Sequence, residues 1–244
     1  EQGLNKKAEP LFLSSLKITE KALGQEHPEI ATALNNLGAF YAGRDQYQKA
    51  ELFYRRALAI HEKVLGAEHP DTGTALNNLA LNYANQGLYS KAEPLYLRAL
   101  KINEKTLGAN DSTAIYLDNI AEVYLAQGLF KKAESLFLRA LSISEKALGR
   151  EHPQTVNHLN NLAVAYESQK LYSKAQPLLQ RVLKTELTLI QREAPYLLLS
   201  DRQAFVEEFD YSAGAISWSY RSKSGKNLAL FGRLNRQGLL EEIE

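Results

Sequence analysis

Leu65-Gly-Ala-Glu-His-Pro-Asp-Thr-Gly-Thr-Ala-Leu-Asn-Asn-Leu-Ala-Leu-Asn-Tyr83 is the stretch from which the rest of this chain is understood. Its first six residues return as Leu23-Gly-Gln-Glu-His-Pro28 and as Leu148-Gly-Arg-Glu-His-Pro153, and a worn copy, Leu107-Gly-Ala-Asn-Asp-Ser112, stands between the last two. The starts at 23, 65, 107 and 148 are spaced 42, 42 and 41 residues apart. Each opening leads to Leu-Asn-Asn-Leu or a relative, a Tyr, a turn, Lys-Ala-Glu or a relative, and an Arg-Ala-Leu-type close. A fixed period of this size means that one supersecondary unit stacks on the next as a solenoid. Such folds offer long surfaces to partners and seldom carry chemistry of their own.

The physics of one period defines the unit. Gly66 follows the Leu that ends a helix, where a residue able to take positive φ is wanted. His69-Pro70 opens the next helix, because proline at the first helical position has its φ preset and loses no useful donor. Leu76, Leu79, Ala80 and Tyr83 then share one face at 100° per residue. Gln86-Gly87 breaks that helix, and a second begins near Ser90 with Ala92, Leu95, Tyr96, Ala99 and Leu100 on its apolar face. The small residues Ala80, Ala92 and Ala99 let the two helices approach closely. Neither helix buries its stripe alone, so antiparallel pairs must stack, and the expected fold is all-α. The worn third copy lacks His-Pro, so its first helix must start by another device. In the fourth copy Lys170 stands where the turn prefers Gly.

Composition narrows the function. The 29 Lys and Arg nearly cancel the 28 Asp and Glu, so no global field draws in nucleic acid or an anionic membrane. No stretch approaches the roughly eighteen unbroken apolar residues that span a bilayer, and Glu1 onward reads as repeat rather than as a signal peptide, so neither membrane span nor leader is expected in these residues. The absence of Cys removes disulfides, thiolate metal sites and a cysteine nucleophile, and fits a reducing, cytoplasmic setting. No cofactor is expected. The sequence also lacks Met, and Glu1-Gln-Gly-Leu-Asn-Lys-Lys-Ala-Glu9 matches Asn85-Gln-Gly-Leu-Tyr-Ser-Lys-Ala-Glu93, so the chain is expected to begin inside a repeat and to be part of a longer protein.

Leu76, Leu79, Ala80, Tyr83, Gly87, Ala92, Tyr96 and Ala99 fall on the spacing of the tetratricopeptide repeat. The 42-residue length, with Glu-His-Pro before Leu-Asn-Asn-Leu-Ala and Lys-Ala-Glu-Pro-Leu-Tyr-Leu-Arg-Ala-Leu after it, resembles the kinesin-light-chain subtype. The resemblance implies a right-handed α-α superhelix and a repeat array over 1–187, made of a half repeat at 1–22 and full repeats at 23–64, 65–106, 107–147 and 148–187. Residues 188–244 depart from the period and are expected to form non-repeat C-terminal helices, a cap or linker. Ser200 to Gln203 fits a capping box, and the aromatics Phe205, Phe209, Tyr211, Trp218 and Tyr220 suit either a cap over the last repeat or a segment folded back as a ligand mimic. The run from Leu228 to Ile243 resembles the segment that links such repeats to a caspase-like CHAT domain in bacterial, often cyanobacterial, proteins. That resemblance implies a catalytic domain after residue 244; no enzyme is expected within the chain itself.

Helix arithmetic places a candidate binding face opposite the packed one. Thr74, Asn78, Leu81 and Asn85 lie within about 60° of each other. Their counterparts are Thr32, Asn36 and Ala39; Ile115, Asn119 and Glu122; and Asn157, Asn161 and Val164. One position is therefore Asn in every copy: Asn36, Asn78, Asn119 and Asn161. A carboxamide holds two donors and an acceptor, enough to grip the backbone of an extended peptide, and in tetratricopeptide families the asparagine at this spacing often touches the bound peptide. The same residues would equally suit a ladder tying repeat to repeat. The preceding positions, Asn35, Asn77, Asp118 and Asn160, sit a further 100° round and are assigned to inter-repeat bonding. The cationic clamp that captures a terminal carboxylate in some relatives needs Lys or Arg where this chain has Gly43, Asn85, Ala126 and Ser168. His27, His69 and His152 are separated by the repeat translation, too far apart to share a zinc ion, and belong to helix starts. Lys91/Glu93 and Lys132/Glu134 are expected to be solvated faces with weak ion pairs. The partner implied is a protein or peptide, not nucleic acid or membrane.

Overall fold

The structure is a computed structural model that describes residues 2–193. Among these residues the chain forms nine α-helices: α1 (Gln2–Leu23), α2 (Pro28–Ala42), α3 (Tyr47–Val64), α4 (Pro70–Asn85), α5 (Tyr89–Thr106), α6 (Asp111–Ala126), α7 (Phe130–Ala147), α8 (Pro153–Ser168) and α9 (Tyr172–Glu193). α9 carries on past residue 187, so the expected end of the array falls within a helix. The readings made for residues 195–244 lie outside the described residues. The chain divides into two compact units, Glu1–Leu136 and Phe137–Glu244, so that α7 begins in the first and ends in the second.

Each recurring sequence element has a mechanical reason. Gly24, Gly66, Gly108 and Gly149 all take positive φ just after a helix ends, the conformation that lets the chain leave without a Cβ clash. The histidines that follow are N-caps. Nδ1 of His27, His69 and His152 accepts the backbone N–H two residues on, at 3.2–3.3 Å, and Pro occupies the first helical position behind each. The worn third copy does start differently: Asn110 and Thr113 form a reciprocal capping box. A threonine in the first turn then latches the loop, with Thr72, Thr113 and Thr155 donating to the carbonyls of Gly66, Gly108 and Gly149 at 2.7–2.8 Å. Lys170 occupies the left-handed turn position at φ 60°, where Gly87 and Gly128 stand in earlier repeats.

In the first unit, α2 packs with α3 and α4 with α5 as helix pairs, and the pairs stack through α3 on α4 and α5 on α6. Leu76, Leu79, Ala80 and Tyr83 are buried, and so are Ala92, Tyr96, Ala99 and Leu100 of α5, whereas Leu95 is only half-buried. A fully buried leucine stabilises by roughly 1.5–3 kcal/mol, which makes this repeated stripe the main source of order. In the second unit, Leu159 and Leu162 of α8 and Leu179 and Val182 of α9 repeat the arrangement. Ser144 and Thr155 hydroxyls meet there at 2.9 Å, joining α7 to α8.

Candidate functional site

The residues of the candidate face are exposed or half-buried. On α2, Thr32, Asn36 and Ala39 are exposed; on α4, Thr74, Leu81 and Asn85 are exposed and Asn78 is half-buried; on α6, Ile115 and Glu122 are exposed and Asn119 is half-buried. In the second unit Asn157 and Val164 of α8 are exposed and Asn161 is half-buried. Within the first unit α2 touches α4 and α4 touches α6, so the three helices carry neighbouring rows. The Thr74 and Tyr116 hydroxyls, 3.4 Å apart, link the rows of α4 and α6.

The asparagine position is divided in its duties. Nδ2 of Asn119 donates to Oδ1 of buried Asn77 at 2.9 Å, so this residue ties one repeat to the next as the preceding Asn position was expected to do. The homologous bond, from Asn78 to Asn35, is not made, and Oδ1 of Asn35 is buried with no hydrogen-bond partner. Among the described residues the side chains of Asn36 and Asn78 make no hydrogen bond to protein.

Charge is sparse on this face. Within the first unit Glu122 is its one ionisable side chain, placed where α2 has Ala39 and α4 has Leu81. Partial desolvation of this surface side chain, and then the nearby Asp118 carboxylate, hold the Glu122 carboxyl above the usual range. Leu81 and Ile115, 39% and 40% exposed, supply apolar surface beside the amides. Gly43, Asn85, Ala126 and Ser168 are all exposed at the helix ends and give no cation for a terminal carboxylate.

One assignment from the sequence is corrected. Lys91 and Glu93 are not simply solvated. The Lys91 ammonium lies 5.3 Å from the centre of the Tyr83 ring, and Glu93 accepts the Tyr124 hydroxyl at 2.9 Å. The same pattern recurs. Lys49 lies over Tyr41, Lys132 over Tyr124 and Lys174 over Tyr166, at 4.9–5.2 Å, while Glu9 accepts from Tyr41 and Glu51 from Tyr83 at 2.7–2.8 Å. Lys-Ala-Glu is thus a connector: its Lys stacks on the Tyr of its own repeat, its Ala is buried, and its Glu receives the Tyr of the next. The recurrence was visible in the sequence, but the Tyr partner lies 31–32 residues further on. A second set of struts joins successive second helices, with Arg56 on Glu20 at 2.6 Å and Arg98 on Glu62 at 2.6 Å; Arg181 pairs with Glu145 in the second unit. The Glu of Gly-x-Glu-His-Pro has its own partner, Glu68 accepting from Lys105 at 2.8 Å and Glu26 from Lys63.

The Tetratricopeptide repeat family profile matches residues 1–63, 29–105 and 111–185. The chain belongs to the tetratricopeptide repeat family. Among solved structures it is similar to kinesin light chain nearly identical TPR-like repeats from Podosopora anserina, with 28% identity over 77% of this chain and 90% of that one and a TM-score of 0.63. BtubC (BKLC) from P. vanneervenii shares the fold at 23% identity, covering 77% of this chain and 75% of that one with a TM-score of 0.67. A Rap protein complexed with Competence and Sporulation Factor shares it at 18% identity, covering 99% and 74% with a TM-score of 0.62. No curated protein matches the chain. Among the described residues of this tetratricopeptide protein, no helix is long and apolar enough to cross a membrane.

Proposed function

We propose that this chain is a protein-interaction scaffold that holds an extended segment of a partner along the exposed rows of α2, α4 and α6, with Asn157, Asn161 and Val164 offering an equivalent row on α8. The observation that carries the reading is the free state of Asn36 and Asn78: two half-exposed or exposed carboxamides, in register on adjacent helices, with no hydrogen bond to protein among the described residues. Amides in that setting engage backbone without selecting side chains, while Leu81 and Ile115 add apolar contact and Glu122 favours a basic residue. The fold of the Rap protein solved with Competence and Sporulation Factor is compatible with the same use of such a surface.

A peptide-library screen tests this, comparing the parent with Asn36→Ala/Asn78→Ala and, separately, with Asn119→Ala. Peptides that bind the parent and lose the stably folded double variant support the reading. Asn119→Ala is expected to lower the melting temperature as well, because it breaks the bond to Asn77. Binding that survives Asn36→Ala/Asn78→Ala would move the site elsewhere. A second reading, in which the repeats form the sensor of a caspase-like protease, rests on the resemblance of residues 228–243 to a CHAT linker; a coding sequence without a His and Cys pair beyond residue 244 would remove it.

A further inference from the structure

The outer surfaces of α3 and α5 follow one period but are not interchangeable, and one of their differences bears on a cleft. Where α1, α5 and α7 carry Leu13, Leu97 and Leu138, exposed by 41%, 45% and 46%, α3 carries Arg55. Arg55 stands at the mouth of an open cleft of about 470 Å³ between α3, α4 and α5. Leu58, Ala59, Leu79, Leu95 and the Tyr83 ring form its apolar walls, and Arg55, Lys91 and Glu62 its polar rim. Leu79 and Tyr83 lie about 150° round α4 from the Thr74–Asn85 row at 100° per residue, so the cleft opens on a different side of the unit from the candidate peptide face.

The rim is cationic after its internal pairs are counted. Glu62 is held by Arg98 at 2.6 Å. Glu51, one turn before Arg55, accepts the Tyr83 hydroxyl at 2.7 Å and Arg55 Nη1 at a longer 3.4 Å, with the Arg55 side chain 66% exposed. Lys91 has the Tyr83 ring beneath it and, among the described residues, no carboxylate within ion-pairing distance. The hollow itself is lined by two cations, Arg55 and Lys91, and one carboxylate, Glu62, which Arg98 already holds. A hollow of this size, apolar in its walls with a few convergent polar groups, has the character of a small-ligand site, and the surplus charge sets the sign of what it takes.

We infer that the α3–α4–α5 cleft binds an apolar group carrying one carboxylate, with the carboxylate between Arg55 and Lys91 and the apolar body against Leu58, Leu79 and Leu95. Arg55 supplies a forked donor that an ammonium cannot reproduce. The chemistry is shared by a free aromatic or aliphatic acid and by the C-terminus of a polypeptide ending in an apolar residue, and two probes separate these sources.

The test is calorimetric titration of the parent chain with 4-phenylbutyrate and with the tripeptide acetyl-Gly-Gly-Phe as free acid, each against its cationic or amide counterpart (4-phenylbutylamine, acetyl-Gly-Gly-Phe-amide). Arg55→Leu serves as the main variant, because leucine already occupies this position in three other helices; Arg55→Gln is the second. Saturable binding of either acid, not shared by its counterpart and weakened roughly tenfold or more in both variants, is expected. Binding of the free acid alone would mark a metabolite-type ligand, and binding of the tripeptide a chain terminus. No saturable binding of either acid, or binding undiminished in stably folded Arg55→Leu and Arg55→Gln, overturns the assignment. The outcome is independent of Asn36 and Asn78, so failure here leaves the peptide face standing.

Discussion

Tyr83→Phe isolates the connector between the first two complete repeats. The Tyr83 ring is buried and its hydroxyl donates to Glu51 across two helices at 2.7 Å. A hydrogen bond to a charged acceptor contributes about 1.5–3 kcal/mol, but the Glu51 side chain is 24% exposed and water recovers part of that when the hydroxyl is removed. The expected loss is therefore about 1–2 kcal/mol. Glu51→Ala should cost a similar amount, because it leaves the Tyr83 hydroxyl buried without an acceptor, while the loss of the exposed Arg55 contact adds at most about 0.5 kcal/mol. The decisive quantity is the coupling in the double-mutant cycle, read from urea unfolding followed by far-ultraviolet circular dichroism at neutral pH. If the two groups act as one connector, the double variant is little worse than Tyr83→Phe alone and the coupling is about 1 kcal/mol or more. A coupling below about 0.3 kcal/mol would refute the connector and return Lys-Ala-Glu to the status of a solvated face.

Three further outcomes follow from other parts of the fold. Gly38→Ala places a Cβ 2.6 Å from the ring of Tyr54, a buried residue whose phenol is pushed up to about 12 by burial alone; overpacking should outweigh the helix-propensity gain of about 1 kcal/mol and lower the melting temperature, and Tyr54→Leu, the residue at the equivalent place in α9, should rescue it. His69→Ala removes the cap of α4 and should cost about 0.5–2 kcal/mol in thermal or chemical unfolding, whereas His69→Asn, an alternative cap, should lose far less. His61 is buried, and desolvation holds its imidazole below the ordinary range against a smaller opposing pull from Asp71. The unfolded chain then takes up this proton first as pH falls below about 6.5, so stability present at neutral pH declines towards pH 5; His61→Asn, matching Asn103 in α5, should flatten that part of the profile in urea titrations from pH 7.5 to 5.

The period of 42 residues, the helix pairs and the buried stripe were all legible in the sequence, because an apolar face recurring at 100° per residue has few other ways to leave water. The positive-φ glycines and the helix-opening prolines were legible for a related reason: they act on the backbone within a few residues of themselves. The exposure of Asn36, and of the Thr74 and Leu81 side chains beside half-buried Asn78, followed from the same arithmetic.

Partner choice was not legible. Local spacing could not say that Asn119 would bond Asn77 while Asn78 leaves Asn35 unbonded, since the two pairs have nearly the same sequence and differ only in how adjacent helices meet. Nor could it reveal that Glu9, Glu51 and Glu93 receive tyrosines more than thirty residues away, or that Arg55 stands beside a cleft. Periodicity determines which face of a helix turns inward, because that depends on residues one turn apart. Which side chain meets which across stacked helices depends on their separation and rotation to within an ångström or so, and that is decided only when the packed pairs come together.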